Sequence, residues 1–147
     1  MNNDRLICRA KTLEGEWVYG MPHTCNGKML IVSVDTIDFD CEFFAPAYWW
    51  IVDPATLGQS IGRRCKNGTL VFTGDIVWAR QSSPTAGGGN VRGVIAWNEM
   101  HCAYVILSDI KVEGCDNAKE IVSLIGLELE VIGNAIDHPE LLKGESQ

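Results

Sequence analysis

The sequence has few charged residues, no excess of basic over acidic residues and no long apolar run. Only 21% of its 147 residues are charged, and its formal charge is -7. Its longest apolar runs, such as residues 29–34, fall far short of the roughly 18 residues that a membrane-spanning helix needs. We therefore expect no membrane span. The acidic balance disfavours nucleic acid as a partner, because nonspecific binding to phosphate backbones comes mainly from Lys and Arg.

Export signals and paired cysteines are also absent. Residues 1–6 (Met-Asn-Asn-Asp-Arg-Leu) have neither the basic start nor the apolar stretch of a secretory signal. No Cys-x-x-Cys pair, the usual mark of a zinc site, occurs among the six cysteines, Cys8, Cys25, Cys41, Cys65, Cys102 and Cys115. We predict reduced core thiols and a cytoplasmic location.

Turn dipeptides and alternating patterns predict strands. Asn-Gly pairs suit the positive φ angles of tight hairpins, and they occur at 26–27 inside a predicted hairpin over 16–34 and at 67–68 between segments 60–65 and 69–72. Residues 37–43 alternate between apolar and acidic side chains, as in a half-buried strand.

Later segments predict more strands and little helix. Segments 91–97 and 102–107 form a predicted strand pair, and Leu127, Leu129 and Val131 alternate with glutamates in a late strand. Helical turns are predicted over 53–58, where Asp-Pro begins and Gly ends the turn, over 117–124, and over 137–142.

Regularly spaced short strands predict a mainly β fold. We predict small, strongly bent antiparallel sheets or a barrel, SH3-like or related, with one or two short helices. Gly74 interrupts a strand pattern, as glycines do at the bends by which small barrels close. We predict that Asp75 beside it satisfies local backbone donors of a turn; an acid in a cleft is the alternative. The prediction is one domain over 1–147, with two β sub-lobes meeting near 53–66 as a variant. Residues 81–90, rich in turn formers, are a predicted flexible loop.

Several stretches carry a family resemblance. They are residues 52–62 (Val-Asp-Pro-Ala-Thr-Leu-Gly-Gln-Ser-Ile-Gly), Lys-Asn-Gly at 66–68, Thr-Gly-Asp-Ile-Val at 73–77, and the end, 130–142 (Glu-Val-Ile-Gly-Asn-Ala-Ile-Asp-His-Pro-Glu-Leu-Leu). In order and spacing the chain resembles the YopX family of bacteriophage and prophage proteins. The resemblance implies a small β-rich fold and a phage or prophage gene working in a bacterial host. It implies no biochemical role and no catalytic residues.

A candidate interaction surface comprises Trp49, Trp50, Arg63, Arg64 and Lys66. Adjacent residues of a strand face opposite sides, so one of the two tryptophans is expected at the surface unless both are buried. Exposed aromatics anchor protein contacts. The leading hypothesis is a noncatalytic protein-interaction module that self-associates or binds a host or phage protein.

Two alternatives come from other functional classes. Residues 63–92 are locally basic, and with nearby aromatic side chains they would suit a nucleic-acid-binding barrel; a solvated basic turn beside core aromatics explains the same pattern. Asp38, Asp40 and Glu42, after Asp35, place carboxylates about 7 Å apart on one strand face, as for a metal-dependent enzyme. A solvated strand face is the stronger explanation, because such faces carry these charges routinely and the charges deter edge-to-edge aggregation. We predict no catalytic constellation and no cofactor.

Overall fold

The structure, a computed structural model, describes residues 3–33, 36–39, 44–46, 48–81, 90–111 and 119–142. Most of these residues lie in antiparallel strands, and the helices among them are two short 3-10 helices, Asn3–Leu6 and Pro139–Leu142. The prediction of a mainly β fold with short helices is confirmed. The chain divides into two compact units, Met1–Gly62 and Arg63–Gln147.

The first unit contains a closed four-stranded barrel. Its strands are β1 (Cys8–Thr12), β2 (Trp17–Cys25), β3 (Lys28–Val32) and β6 (Trp49–Arg64), whose last two residues belong to the second unit. They pair in the order β1-β2-β3-β6, and β1 also pairs with β6, which closes the ring. A separate pair consists of β4 (Thr36–Phe39) and β5 (Phe44–Pro46).

The β2–β3 hairpin forms where the Asn-Gly pair predicted it. Asn26 and Gly27 have φ angles of 50° and 73°, and Cys25 pairs with Lys28 across the two-residue turn. Two successive positive φ angles match the right-handed twist of the flanking strands. The turn therefore sets the register of the hairpin.

Strand β6 continues through the segment for which we predicted a helical turn, so that prediction is wrong. The pairing of β1 with β6 shifts between Arg9, opposite Gly58, and Lys11, opposite Asp53. Extra residues of β6 therefore bulge outward. Thr56 holds the bulge because its Oγ1 accepts the Lys11 N–H at 2.7 Å. The Asp-Pro turn chemistry shapes a bulge in a strand because pairing with β1 overrides the local helical tendency.

The barrel interior is small and aliphatic. Its buried cluster consists of Cys8, Ala10, Val18, Ile31 and Val52, with Met29 and Trp50 packed against it. At Gly20 the backbone of β2 approaches β3 so closely that a Cβ atom would lie 2.0 Å from the Val32 carbonyl oxygen. Only glycine fits this strongly bent position.

The second unit is built on an open sheet. Its strands are β7 (Leu70–Phe72), β8 (Asp75–Gln81), β9 (Val91–Asn98), β10 (Ala103–Lys111), β11 (Lys119–Ser123) and β12 (Leu127–Asn134). Five of them form an antiparallel sheet in the order β11-β10-β9-β8-β12. The predicted β9–β10 pair and the predicted late strand are confirmed. Leu127 and Leu129 are buried, whereas Glu128 and Glu130 are exposed.

The predicted helical turns over 117–124 are wrong, because β11 occupies this segment. Ile121 pairs with Leu107 and Val122 with Ile106 on β10. β-branched residues favour a pleated surface, and pairing with a neighbouring strand outweighs the weak helical signal. The predicted last helix is present as the 3-10 helix Pro139–Leu142.

Asp75 closes the tight turn between β7 and β8. Gly74 has a φ of 87°, and the Phe72 N–H donates to the Asp75 carboxylate at 2.8 Å in a fully buried setting. The local turn role predicted by an Asp beside a Gly is confirmed.

The cysteines follow the core prediction only in part. Cys8 and Cys65 are buried, but Cys25 and Cys102 are exposed free thiols. Cys25 lies at the tip of the β2–β3 hairpin. Cys102 has a φ of 48° in the β9–β10 turn, where its thiol donates to the Glu99 carbonyl at 3.3 Å. Turn positions thus override the apolar character of these two side chains. Cys41 and Cys115 lie outside the described residues.

Candidate functional site

The two adjacent tryptophans face opposite sides of β6, as strand geometry requires. Trp49 is 60% exposed, whereas Trp50 packs against the barrel core. Tyr48 is also exposed, and its ring stacks on that of Trp50 with centroids 6.0 Å apart. Trp49 is therefore the member of the pair that is available for contacts.

Trp49 belongs to an apolar surface that spans three strands. Met21 on β2 lies opposite Val32 on β3, which lies opposite Trp49 on β6. Directly opposed residues share a face of the sheet. The neighbouring row, in which Leu30 lies opposite both His23 and Ile51, extends the surface in the same way, and Tyr19 lies on the same side of β2, two residues before Met21. The barrel face, as it is called here, consists of Tyr19, Met21, His23, Leu30, Val32, Trp49 and Ile51.

The barrel face is accessible, and none of its seven members is Asp, Glu, Lys or Arg; the charged residues Arg9, opposite Tyr19, and Lys28, two residues before Leu30, lie at its borders. Trp49, Met21 and Tyr19 are each at least 50% exposed. The sequence indicated Trp49 but not its neighbours, because the partners on β2 and β3 follow from register. The only feature of the sequence that pointed to these neighbours was the Asn26-Gly27 turn, because it sets the register of β2 and β3.

The Arg63 side chain donates hydrogen bonds to backbone carbonyls of its own unit. Its Nη1 donates to the Leu124 carbonyl at 2.8 Å, and its Nη2 donates to the Leu127 carbonyl at 2.5 Å. Leu127 begins the edge strand β12, and Leu124 lies in the turn between β11 and β12. Arg63 therefore closes the unit internally, and Trp49 and Trp50 lie in the other unit.

Arg64 and Lys66 flank a tight turn with different orientations. The Cys65 N–H donates to the Thr69 carbonyl at 2.8 Å, and this bond closes the turn. Arg64 donates from Nη1 to the Gly68 carbonyl at 2.8 Å, which braces the same turn. Lys66 is exposed and points to a groove.

That groove lies where the turn meets strands β8 and β12, and is here called the β8–β12 groove. Its volume is about 340 Å³, and it is lined by Cys65, Lys66, Asn67, Trp78, Arg80, Glu128, Leu129 and Glu130. Register explains the grouping, because Arg80 lies opposite Glu128 and Trp78 lies opposite Glu130. The sequence indicated Lys66 but treated the two glutamates as an ordinary solvent face.

The groove carries both signs of charge. Lys66 and Arg80 supply two cations, and Glu128 and Glu130 supply two carboxylates. Trp78 is 39% exposed, and the Arg92 guanidinium lies 5.9 Å from its ring centroid. A nucleic-acid backbone favours a continuous positive track, which this alternation interrupts.

Cys65 forms part of the groove floor as a neutral thiol. Burial raises its pKa, and the charges of Asp75 and Glu130 add to this increase. A backbone hydrogen bond with Val131 and the charge of Arg63 act in the opposite direction. A thiol with a raised pKa is a weak nucleophile at neutral pH, because the thiolate is the reactive form.

The carboxylate hypothesis concerns residues that the structure leaves largely undescribed. The backbone of Asp38 lies in β4, but its side chain and residues 35, 40 and 42 lie outside the described set, as do residues 82–89 of the predicted loop. Among the side chains that are described, no group of three or more His, Cys, Asp and Glu residues is arranged to hold a metal ion.

A comparison with models of known protein families identifies the family of this chain. A family model described as YopX protein matches residues 6–143. The chain belongs to the YopX family. No curated protein and no solved structure matches this YopX-family chain. Within the described ranges, none of its helices has the length and apolar character to span a membrane.

Proposed function

We propose that this YopX-family chain is a noncatalytic bacteriophage or prophage accessory protein that acts by protein contact in the host cytoplasm, binding a second copy of itself. The observation that carries the proposal is the barrel face, with Met21 and Trp49 exposed on either side of Val32. Aromatic and Met side chains are enriched in the cores of protein interfaces, where charged residues are depleted.

A second copy suits the barrel face because the face is uncharged. A twofold contact places the same patch of each copy against its equivalent. Charged residues there would meet like charges, in a chain whose formal charge is already -7. The seven residues of the barrel face avoid this repulsion.

The basic segment gives less support to the nucleic-acid alternative. Arg63 donates to two backbone carbonyls, Arg64 to one, and Arg80 lies opposite Glu128. The backbone bonds hold Arg63 and Arg64 locally, and the carboxylate opposite Arg80 interrupts the continuous positive track that a nucleic-acid backbone favours. A protein-contact function requires neither a run of free cations nor a reactive centre.

Sedimentation equilibrium of the wild-type chain and a Met21→Ser/Trp49→Ser variant tests the proposal. We expect a wild-type dimer. Loss of a central interface anchor costs about 2 kcal/mol or more, which corresponds to dissociation at least about 30-fold easier in the variant. Far-UV circular dichroism checks that the variant keeps the wild-type strand signal.

The matched control is Trp97→Ser, which removes a tryptophan of similar exposure from the second unit. Trp97 is 52% exposed and lies on β9, outside the barrel face. We expect this variant to dimerise like the wild type. A wild-type chain that stays monomeric at every concentration, or a dimer that the double substitution leaves intact, would refute self-association through this face.

A further inference from the structure

We propose that the β8–β12 groove binds a ribonucleoside monophosphate. This site belongs to the second unit and is independent of the barrel face. The groove combines three recognition chemistries in one small volume: a partly exposed indole ring, two cations and two carboxylates. A mononucleotide carries the complementary set, namely a flat base, a phosphate and a ribose diol.

The dimensions of the groove suit a ligand of this size. Its volume of about 340 Å³ lies within the usual range of small-molecule sites. Cys65 and Leu129 are buried residues that line the groove together with its polar side chains. A few convergent polar side chains are typical of ligand pockets.

Trp78 provides the surface on which a base would stack. Its position on β8 between Arg92 and Glu130 is set by backbone pairing, so the ring is held by a sheet and not by a loop. The Arg92 guanidinium lies 5.9 Å from the ring centroid and comes from the β9 side of Trp78, whereas the groove-lining Glu130 comes from the β12 side. Proteins stack unpaired bases on aromatic rings of this kind.

The charged residues distinguish a mononucleotide from a polynucleotide. Lys66 and Arg80, from the turn and from β8, would contact the phosphate. Glu128 and Glu130 accept hydrogen bonds, and the ribose hydroxyls donate them. The same carboxylates would repel the successive phosphates of a strand, so one phosphate is accommodated better than many.

Calorimetric titration of the wild-type chain with AMP, GMP, CMP and UMP at low salt tests the site. We expect at least one of them to bind. Inorganic phosphate alone and the corresponding nucleoside alone should each bind at least about tenfold more weakly, because each lacks half of the contacts. The 2′-deoxynucleotide should also bind more weakly, because it offers the carboxylates one donor fewer.

Two pairs of variants assign the binding to this groove. Trp78→Leu should weaken binding about tenfold or more, whereas Trp97→Leu should leave it unchanged. Arg80→Gln should weaken it to a similar extent, whereas Arg5→Gln, a change of the same kind at an exposed residue of the first unit, should not. Arg80 is exposed, so its variant keeps the test valid if Trp78→Leu unfolds the chain.

Three results would overturn the assignment. The first is no heat from any of the four nucleotides with folded wild-type protein. The second is binding that Arg80→Gln leaves unchanged. The third is much tighter binding of a single-stranded oligonucleotide with a steep loss of affinity as salt rises, which would make the groove a nucleic-acid surface.

Discussion

The two units deal with the edges of their sheets in different ways. In the first unit, β1 pairs with both β2 and β6, so the barrel closes on itself. In the second unit, the sheet is open and ends at β11 and β12. There, Arg63 donates to the carbonyl of Leu127 on β12 and to that of Leu124 in the turn before it. The Arg63 side chain thus covers the start of an edge that backbone pairing leaves open.

This difference also explains which kind of surface each unit exposes. Closure satisfies the backbone of the barrel, and its outward face can be apolar without offering strand edges. The open sheet instead places a turn beside its edge strand, and the space between them is the β8–β12 groove. The first unit therefore suits contact with protein, and the second suits a small polar ligand.

The largest expected loss of stability comes from adding one methyl group where two backbone segments approach closely, and each unit has such a position. In Gly20→Ala the new Cβ would lie 2.0 Å from the Val32 carbonyl oxygen, and in Gly93→Ala 2.2 Å from that of Leu107. Backbone cannot yield as a flexible side chain does, so we expect each variant to lose about 3 kcal/mol or more of unfolding free energy in urea.

The control for that prediction is Gly15→Ala. A Cβ at Gly15 meets no atom within 4 Å, although its φ of 92° strains any other residue. We expect a loss of about 1 kcal/mol. Equal losses in Gly20→Ala and Gly15→Ala would show that backbone strain, and not the close approach of β2 to β3, accounts for the requirement for glycine.

Substituting the adjacent tryptophans separates the barrel core from its outer face. Trp50→Ala should lower the unfolding free energy by about 2 kcal/mol or more, because Trp50 packs on the buried cluster. Trp49→Ala should change it by less than about 0.5 kcal/mol when measured at protein concentrations low enough to dissociate a dimer. Similar losses in the two variants would contradict the assignment of Trp49 to a contact surface.

Substituting the adjacent arginines tests how the second unit covers its edge strand. Arg63→Ala removes two hydrogen bonds from a charged donor, one to the first residue of β12 and one to the turn before it, so we expect a loss of about 2 kcal/mol. Arg64→Ala removes an exposed bond within one turn and should cost less than about 0.5 kcal/mol. Hydrogen exchange should also quicken in β12 for Arg63→Ala alone; unchanged exchange there would refute the covering role.

The smallest expected effect is a loss of stability in alkaline solution that depends on the buried thiols. Burial raises the pKa of Cys8 in the first unit and of Cys65 in the second. The unfolded chain releases these protons from about pH 8.5, while the folded chain still holds them. Stability is therefore complete below that pH and falls as the pH rises toward the folded pKa values.

Urea unfolding at a series of alkaline pH values measures this effect. Cys8→Ala and Cys65→Ala each remove one of the two thiols, so each should make the decline in unfolding free energy shallower than in the wild type. The slope is the informative quantity, because both substitutions also lower stability at every pH by leaving a small cavity. Slopes equal to that of the wild type would contradict the prediction.

Local patterns predicted the elements whose causes are local. Asn26-Gly27 located the β2–β3 hairpin, Asp75 beside Gly74 indicated a turn with a side-chain acceptor, and the alternation after Leu127 indicated β12. Each of these depends on φ angles or on a two-residue period within a few positions. Such signals remain visible in a single sequence.

Patterns that depended on distant partners were misjudged or missed. The segment from Asp53 to Gly58 became a bulge because it pairs with β1, and β11 formed because it pairs with β10. The β8–β12 groove joins positions 65–67, 78–80 and 128–130. No spacing in the sequence predicts that these three segments lie side by side, so Glu128 and Glu130 carried no sequence signal of a site.

The sequence by itself determined the mainly β character, the main tight turns and the family, because turn chemistry and alternation are properties of neighbouring residues. Tertiary structure alone decided barrel closure, which of the two tryptophans is exposed, and the internal role of Arg63. Each of these depends on strand register and on side chains brought together from positions tens of residues apart. Register follows from the packing of the whole sheet, and a local pattern does not contain it.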